Sequence, residues 1–172
     1  MTTILSPEQA EAIRAELRDN PTQMTLQLAR SAGVPEAEIV RLFPDHHGTE
    51  LDISRWQEIF TSLAELGKVH VIVSNAAATC EVVGEFGGLS VWGEFFNVQT
   101  SSMDLHIRWP QLGSVFALEK PGPKDGSRTL SLQFFDRKGD SALKVFLNFA
   151  GKPTAQRLEQ FHSLRQEFRR KG

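Results

Sequence analysis

Polar and apolar positions change rhythm along the chain, helical in the first third and strand-like in the middle. Ser6-Pro7-Glu8-Gln9 places an N-cap Ser, a Pro at the first helical position and a Gln at the third, the pattern of a capping box. Ala10, Ile13 and Leu17 then share one helical face, and Asn20-Pro21 stops the run. Residues 25–43 predict two short helices joined at Ala32-Gly33-Val34, with Pro35 opening the second and Pro44 following it. Asp52 caps a fourth helix through Leu66. In it Trp56, Ile59, Phe60 and Leu63 recur at i, i+3, i+4 and i+7, and Gly67 supplies the left-handed stop.

Beyond Gly67 short β-type runs alternate with turn residues. Strands are predicted near residues 69–74, 79–84, 94–99, 104–109, 115–119, 129–136 and 143–149. Turns fall at Asn75-Ala76, Gly87-Gly88, Pro110, residues 121–126 and residues 137–140. No connection is long enough for a helix, so consecutive strands are read as antiparallel. Pro153 opens a last helix striped by Leu158, Phe161, Leu164 and Phe168, and Arg169-Arg170-Lys171 suits its C-terminus. The pattern gives one α+β domain over 1–172. It has a helical subregion at 1–66, a large antiparallel β-sheet system at 68–149 and a C-terminal helix at 153–171.

Composition narrows the chemistry. The 172 residues hold 12 Phe, 3 Trp, 5 His, one Cys and no Tyr. One Cys excludes an intrachain disulfide, a Cys-based zinc site and a protein-held iron–sulfur cluster. Without Tyr there is no phenolate ligand and no phenolic acid or base. Metal chemistry would draw on His, carboxylates, Met103 or Cys80. A net charge of −2 gives no global pull toward nucleic acid or anionic membrane. The opening MTTILSPEQAEAI lacks a basic n-region, and no apolar run approaches the ~20 residues that span a bilayer. The expectation is a cytoplasmic protein with no membrane insertion.

Several residues could carry chemistry. Residues 25–43 resemble a helix-turn-helix, but the second helix, Pro35-Glu36-Ala37-Glu38-Ile39-Val40-Arg41, offers two acids and one base, which opposes phosphate. A DNA-binding regulator is therefore the weakest reading. His46-His47 reads as a polar loop, and His162 as a boundary residue of the last helix. His106 and His70 differ from these because each stands inside a predicted strand. Around His106, alternation puts Met103, Leu105, Ile107 and Trp109 on one face and Asp104, His106 and Arg108 on the other. That is a core face and a solvent face, or else an imidazole and a guanidinium poised for an anionic ligand that contains a metal. Phe95-Phe96 and Phe134-Phe135 each send one ring to either side of a strand, into a core or against a flat apolar ligand. Cys80 is read as a buried thiol. There is no nucleophile elbow, P-loop or dinucleotide fingerprint.

Two stretches carry a resemblance. WGEFFNVQTSSMDLHIRWPQLGSVFALEKPG, followed by SLQFFDRKGDSALKVFL, resembles the ChuX/HutX group of intracellular haem-utilisation proteins. These are single-module relatives of the two-repeat HemS-type factors. LARSAGVPEAEIVRLFP through LGKVHVIVSN matches the family's helical opening and first strand, so the likeness covers about residues 24–165.

The resemblance implies a cytoplasmic carrier or store of haem b used in haem-iron utilisation, a binding protein more than an enzyme, and a homodimer. Its partners would be haem, a haem importer or a haem-degrading enzyme. The alternative is a haem-degrading enzyme like the HemS-type factors. His106 falls at the family's central His and is the implied axial ligand, with His70 as the alternative; iron would be held only through haem. Arg108 and Lys144 would meet the propionates. Trp92, Phe95, Phe96, Phe134 and Phe135 would wall the pocket. The chain departs from the pattern in having no Tyr, Ser74 where some relatives carry a second His, and Leu105 before the central His.

Overall fold

A computed structural model describes residues 5–122, 126–148 and 151–171. Phe149 and part of the 121–126 turn lie outside these. Helix α1 (Pro7–Asp19) starts on the expected capping box, with the Ser6 side chain accepting from Gln9 N and the Gln9 side chain accepting from Ser6 N. Next come α2 (Thr25–Ala32) and α3 (Glu36–Val40), joined by Gly33 at φ +67°. Asp52 caps a single 3₁₀ turn, Ile53–Arg55, that leads into α4 (Trp56–Ala64). Thr154 caps α5 (Ala155–Phe168).

Among the described residues nine strands form two antiparallel sheets. The larger comprises β1 (Gly48–Leu51), β2 (Lys68–Ser74), β3 (Thr79–Glu85), β7 (Leu112–Pro121), β8 (Arg128–Asp136) and β9 (Ser141–Phe146), in the order β1-β7-β8-β9-β2-β3. The smaller comprises β4 (Ser90–Trp92), β5 (Phe95–Gln99) and β6 (Asp104–Arg108). β1 and β4 were not anticipated: the first is four residues long, and the second is three residues long and wholly exposed. Gly88, at φ +59°, seats the chain entering β4 against β5. A Cβ there would stand 1.9 Å from the Gln99 carbonyl, so only glycine fits.

Two cores account for the pattern. In the first, both sheets pack on α4 and α5, and Phe60 stacks on Phe86, Phe96 and Phe134 with ring centroids 5.9, 5.0 and 4.6 Å away. Each such buried ring contributes roughly 1.5–3 kcal/mol. In the second, α1, α2 and α3 cover the other face of β7 and β8, with Leu17, Ile39, Val40 and Phe43 packed on Phe116, Leu118 and Phe135. β8 is thus buried on both faces, which is why Phe134-Phe135 breaks polar alternation. The helices stop short of β3, an edge strand, and its Cys80 is exposed rather than buried. At the opposite edge, β1 is bridged by Arg169, just past α5.

Candidate functional site

The register of the small sheet gathers several of the anticipated residues on one face. Ser90, Asn97 and His106 form one row, and Trp92, Phe95 and Arg108 the next. The opposite face carries Phe96, Val98 and Ile107 into the first core. His106 Nδ1 lies 2.7 Å from Asn97 Oδ1, while Asn97 Nδ2 donates to Ser90 Oγ at 3.2 Å. An amide oxygen only accepts, so this contact uses an Nδ1 proton, and a neutral ring making it carries its lone pair on Nε2. Asp104 Oδ1 stands 3.4 Å from that Nε2, and the side chain is about half exposed. Arg108 donates from Nε and Nη2 to Glu94 Oε2 at 3.1 and 2.7 Å and lies over the Phe95 ring. Trp92 is 78% exposed.

Other anticipated residues sit elsewhere. Phe96 and Phe134 are packed in the first core and Phe135 in the second, at 2% exposure or less, so none has surface to offer a ligand. They are core residues, and the wall of the site reduces to Trp92 and Phe95. His70 stands on the large sheet, its Nε2 2.9 Å from Glu81 Oε2. Lys144 also points outward from the large sheet. It lines a cleft of about 400 Å³ beneath the helical subregion. There its Nζ donates to Glu36 Oε1 at 2.5 Å, and Thr25 Oγ1 donates to the same oxygen. Lys144 is thus committed to an acid on α3, away from the His106 face.

Two residues of that cleft gave no signal in the sequence. Glu36, one of the two acids of the second short helix, is 2% exposed, and its second carboxylate oxygen has no hydrogen-bond partner among the described residues. Lys120 is half-buried with its Nζ on the Gln23 carbonyl. Burial, reinforced by the charge of Lys144, pushes its ammonium down to about 8, and Glu36 works in the opposite direction. Four of the five residues of α3 are buried, so this helix has no free face to enter a DNA groove.

Among the described residues no three or more His, Cys, Asp or Glu are gathered as a metal-ligand set. A lone imidazole suits a metal already held in a macrocycle, and the flat aromatic surface with an adjacent guanidinium suits that macrocycle's rim. No helix among the described residues is long and apolar enough to cross a membrane.

Comparison with known proteins points the same way. Residues 33–168 match the family described as the haemin-degrading HemS/ChuX domain. The intracellular heme transport protein HutX of Vibrio cholerae is 28% identical over 133 residues, covering 76% of this chain and 68% of that protein. The hemin transport protein HemS of Yersinia enterocolitica is 28% identical over 130 residues, and the match covers 75% of this chain but only 37% of HemS. The crystal structure of ChuX superposes with a TM-score of 0.81 at 22% identity, covering 90% of this chain and 96% of that one, a likeness of fold.

Proposed function

The chain belongs to the HemS/ChuX domain family, and we propose that it binds haem as cargo and carries it within the cytoplasm. One observation carries this reading: His106, Arg108, Trp92 and Phe95 stand together on the outer face of the small sheet. The relatives whose names speak of haem or hemin transport support it.

In this reading haem b lies flat against Trp92 and Phe95. His106 Nε2 offers one axial bond, and Asn97 holds the ring by its other nitrogen, the kind of support that orients metal-binding imidazoles. Arg108 meets a propionate by exchanging Glu94 for it. Glu94 competes with the propionate for Arg108, which keeps the affinity moderate and favours release. A homodimer would cover the exposed Trp92 and Val91, and a haem importer or haem-degrading enzyme would stand at either end of the transfer.

The test is a titration of the purified protein with haemin, followed in the Soret band. A saturable shift is expected, and His106→Ala should weaken that binding at least about tenfold, or 1.4 kcal/mol, while His70→Ala leaves it unchanged. No spectral change with the unaltered protein would overturn the reading. Loss of the Soret band with iron release on adding a reductant would replace carriage with ring opening.

A further inference from the structure

The His46-His47 loop is part of a built cleft. A cavity of about 750 Å³ opens between α1, the segment after α3 and the end of β7. That is within the range of roughly 300–1,000 Å³ usual for small-molecule sites. Its apolar wall is Leu17, Leu42, Phe43 and Pro44, and its cations are Arg14, Arg18, Arg41 and Lys120. No described residue lining it is an Asp or Glu. Carboxylates outside the lining are shared thinly: Glu11 serves both Arg14, at 3.4 Å, and Arg18, at 3.6 Å, while Arg41 pairs with Glu38 and stands 4.0 Å from Glu50. Among the described residues Lys120 donates to the neutral Gln23 carbonyl alone. In a chain of net charge −2 this is a concentrated positive pocket.

Of the two histidines on its wall, His47 is anchored through Nδ1. His47 Nδ1 lies 2.9 Å from the Glu119 carbonyl, and Glu119 N donates back to the His47 carbonyl at 2.7 Å. A carbonyl only accepts, so this contact uses an Nδ1 proton, and a neutral ring making it carries its lone pair on Nε2. An Nδ1–H bonded to a backbone carbonyl is how proteins commonly orient a metal-binding imidazole. Anchored imidazole, apolar wall and cationic rim call for a planar apolar ligand with a metal at its centre and carboxylates at its edge.

We propose that this cleft is a second iron-porphyrin site, with His47 Nε2 as the axial ligand and Arg14, Arg18 and Arg41 meeting the carboxylates. It takes the nature of the ligand from the function proposed above but none of its residues. Titration of the purified chain with monomeric haemin, read as Soret stoichiometry, separates the two. Two equivalents are expected for the unaltered protein, one for His47→Gln, one for His106→Gln and none for the double variant. Arg14→Gln with Arg18→Gln, both on the exposed side of α1, should weaken only the cleft equivalent, by about tenfold. The same pair should also weaken metal-free protoporphyrin IX, read by its fluorescence, because the carboxylates remain when the iron is gone.

A single equivalent that disappears in His106→Gln and is indifferent to His47→Gln overturns the second site and leaves the first intact. A single equivalent lost only in His47→Gln upholds the cleft and moves the carrier site into it. No binding by the unaltered chain overturns both. If His47→Gln does not fold, the arginine pair decides, and unchanged affinity and stoichiometry there overturn the proposal.

Discussion

His106 stands on an open sheet and His47 on the wall of a cleft, yet both rings have Nδ1 against an oxygen acceptor, Asn97 Oδ1 in one and the Glu119 carbonyl in the other. Around His106 the aromatic surface is generous, but acids sit among the binding groups: Asp104 near the imidazole and Glu94 on the guanidinium. Around His47 the surface is aliphatic with one Phe, no described residue of the lining is an acid, and the carboxylates that pair with its arginines stand outside it. The first region is an open face and the second a cleft. The resemblance in sequence singles out the first, while charge and shape single out the second as a place to hold an anion.

The comparison can be broken most forcefully at Glu36. Its carboxylate docks the helical subregion that walls the cleft, through Lys144 and Thr25, and its side chain is almost wholly buried. Glu36→Ala leaves the Lys144 ammonium uncompensated and should cost roughly 3–5 kcal/mol in denaturant unfolding, most of which Lys144→Met should restore. Haem binding at the cleft should fall with it, and binding at His106 should not. A loss below about 1 kcal/mol would show that the ion pair does not hold the helices in place.

Lys120 gives a smaller effect with a definite pH signature. Its folded value of about 8 lies below the ordinary 10.5, so the unfolded chain binds that proton more tightly. The penalty is full below about 8, where both states are charged, and shrinks as pH rises, vanishing above about 10.5 where both are neutral. Lys120→Met should therefore raise the thermal midpoint at about pH 7 and lose that advantage toward about pH 10. The same substitution should weaken anion binding in the cleft. A gain that does not vary with pH would place the effect in packing rather than charge.

The smallest effect on stability belongs to Trp92. Trp92→Ala should change the unfolding free energy by no more than about 0.5 kcal/mol, since the side chain is mostly exposed. It should nonetheless remove most of the tryptophan quenching that haemin causes at the His106 face. Undiminished quenching would put the bound ring elsewhere.

Local rules were legible in the sequence. The Ser6 capping box, the Gly33 turn, the α4 stripe and most strands follow from spacing and punctuation, and the two-sided burial of β8 follows from Phe134-Phe135. What was hidden depends on partners far along the chain. β1 is too short to show a period and exists because Leu51 meets Val115. Glu36 finds Lys144 at a separation of 108 residues, so its burial leaves no local trace. Cys80 sits in an apolar-looking run, but that run is the uncovered edge of the sheet. The alternation around His106 identified its face correctly. It could not show that Phe134 and Lys144 belong to other surfaces, because that is decided by which sheet each strand joins.

The strand order β1-β7-β8-β9-β2-β3 has a consequence for how the molecule is made. The hairpin of β2 and β3 leaves the ribosome well before β9, the strand that joins it to the rest of its sheet and ends at Phe146. Until then the hairpin has no neighbour on its β9 side, and the β7–β8 pair must wait for the same late strand. Synthesis at about 5–20 residues per second thus leaves these edges open for several seconds. Interactions of such long sequence separation also form slowly. The strand that completes the sheet is the one a nascent chain supplies last, so the interval before it emerges is when this protein is most exposed to mispairing.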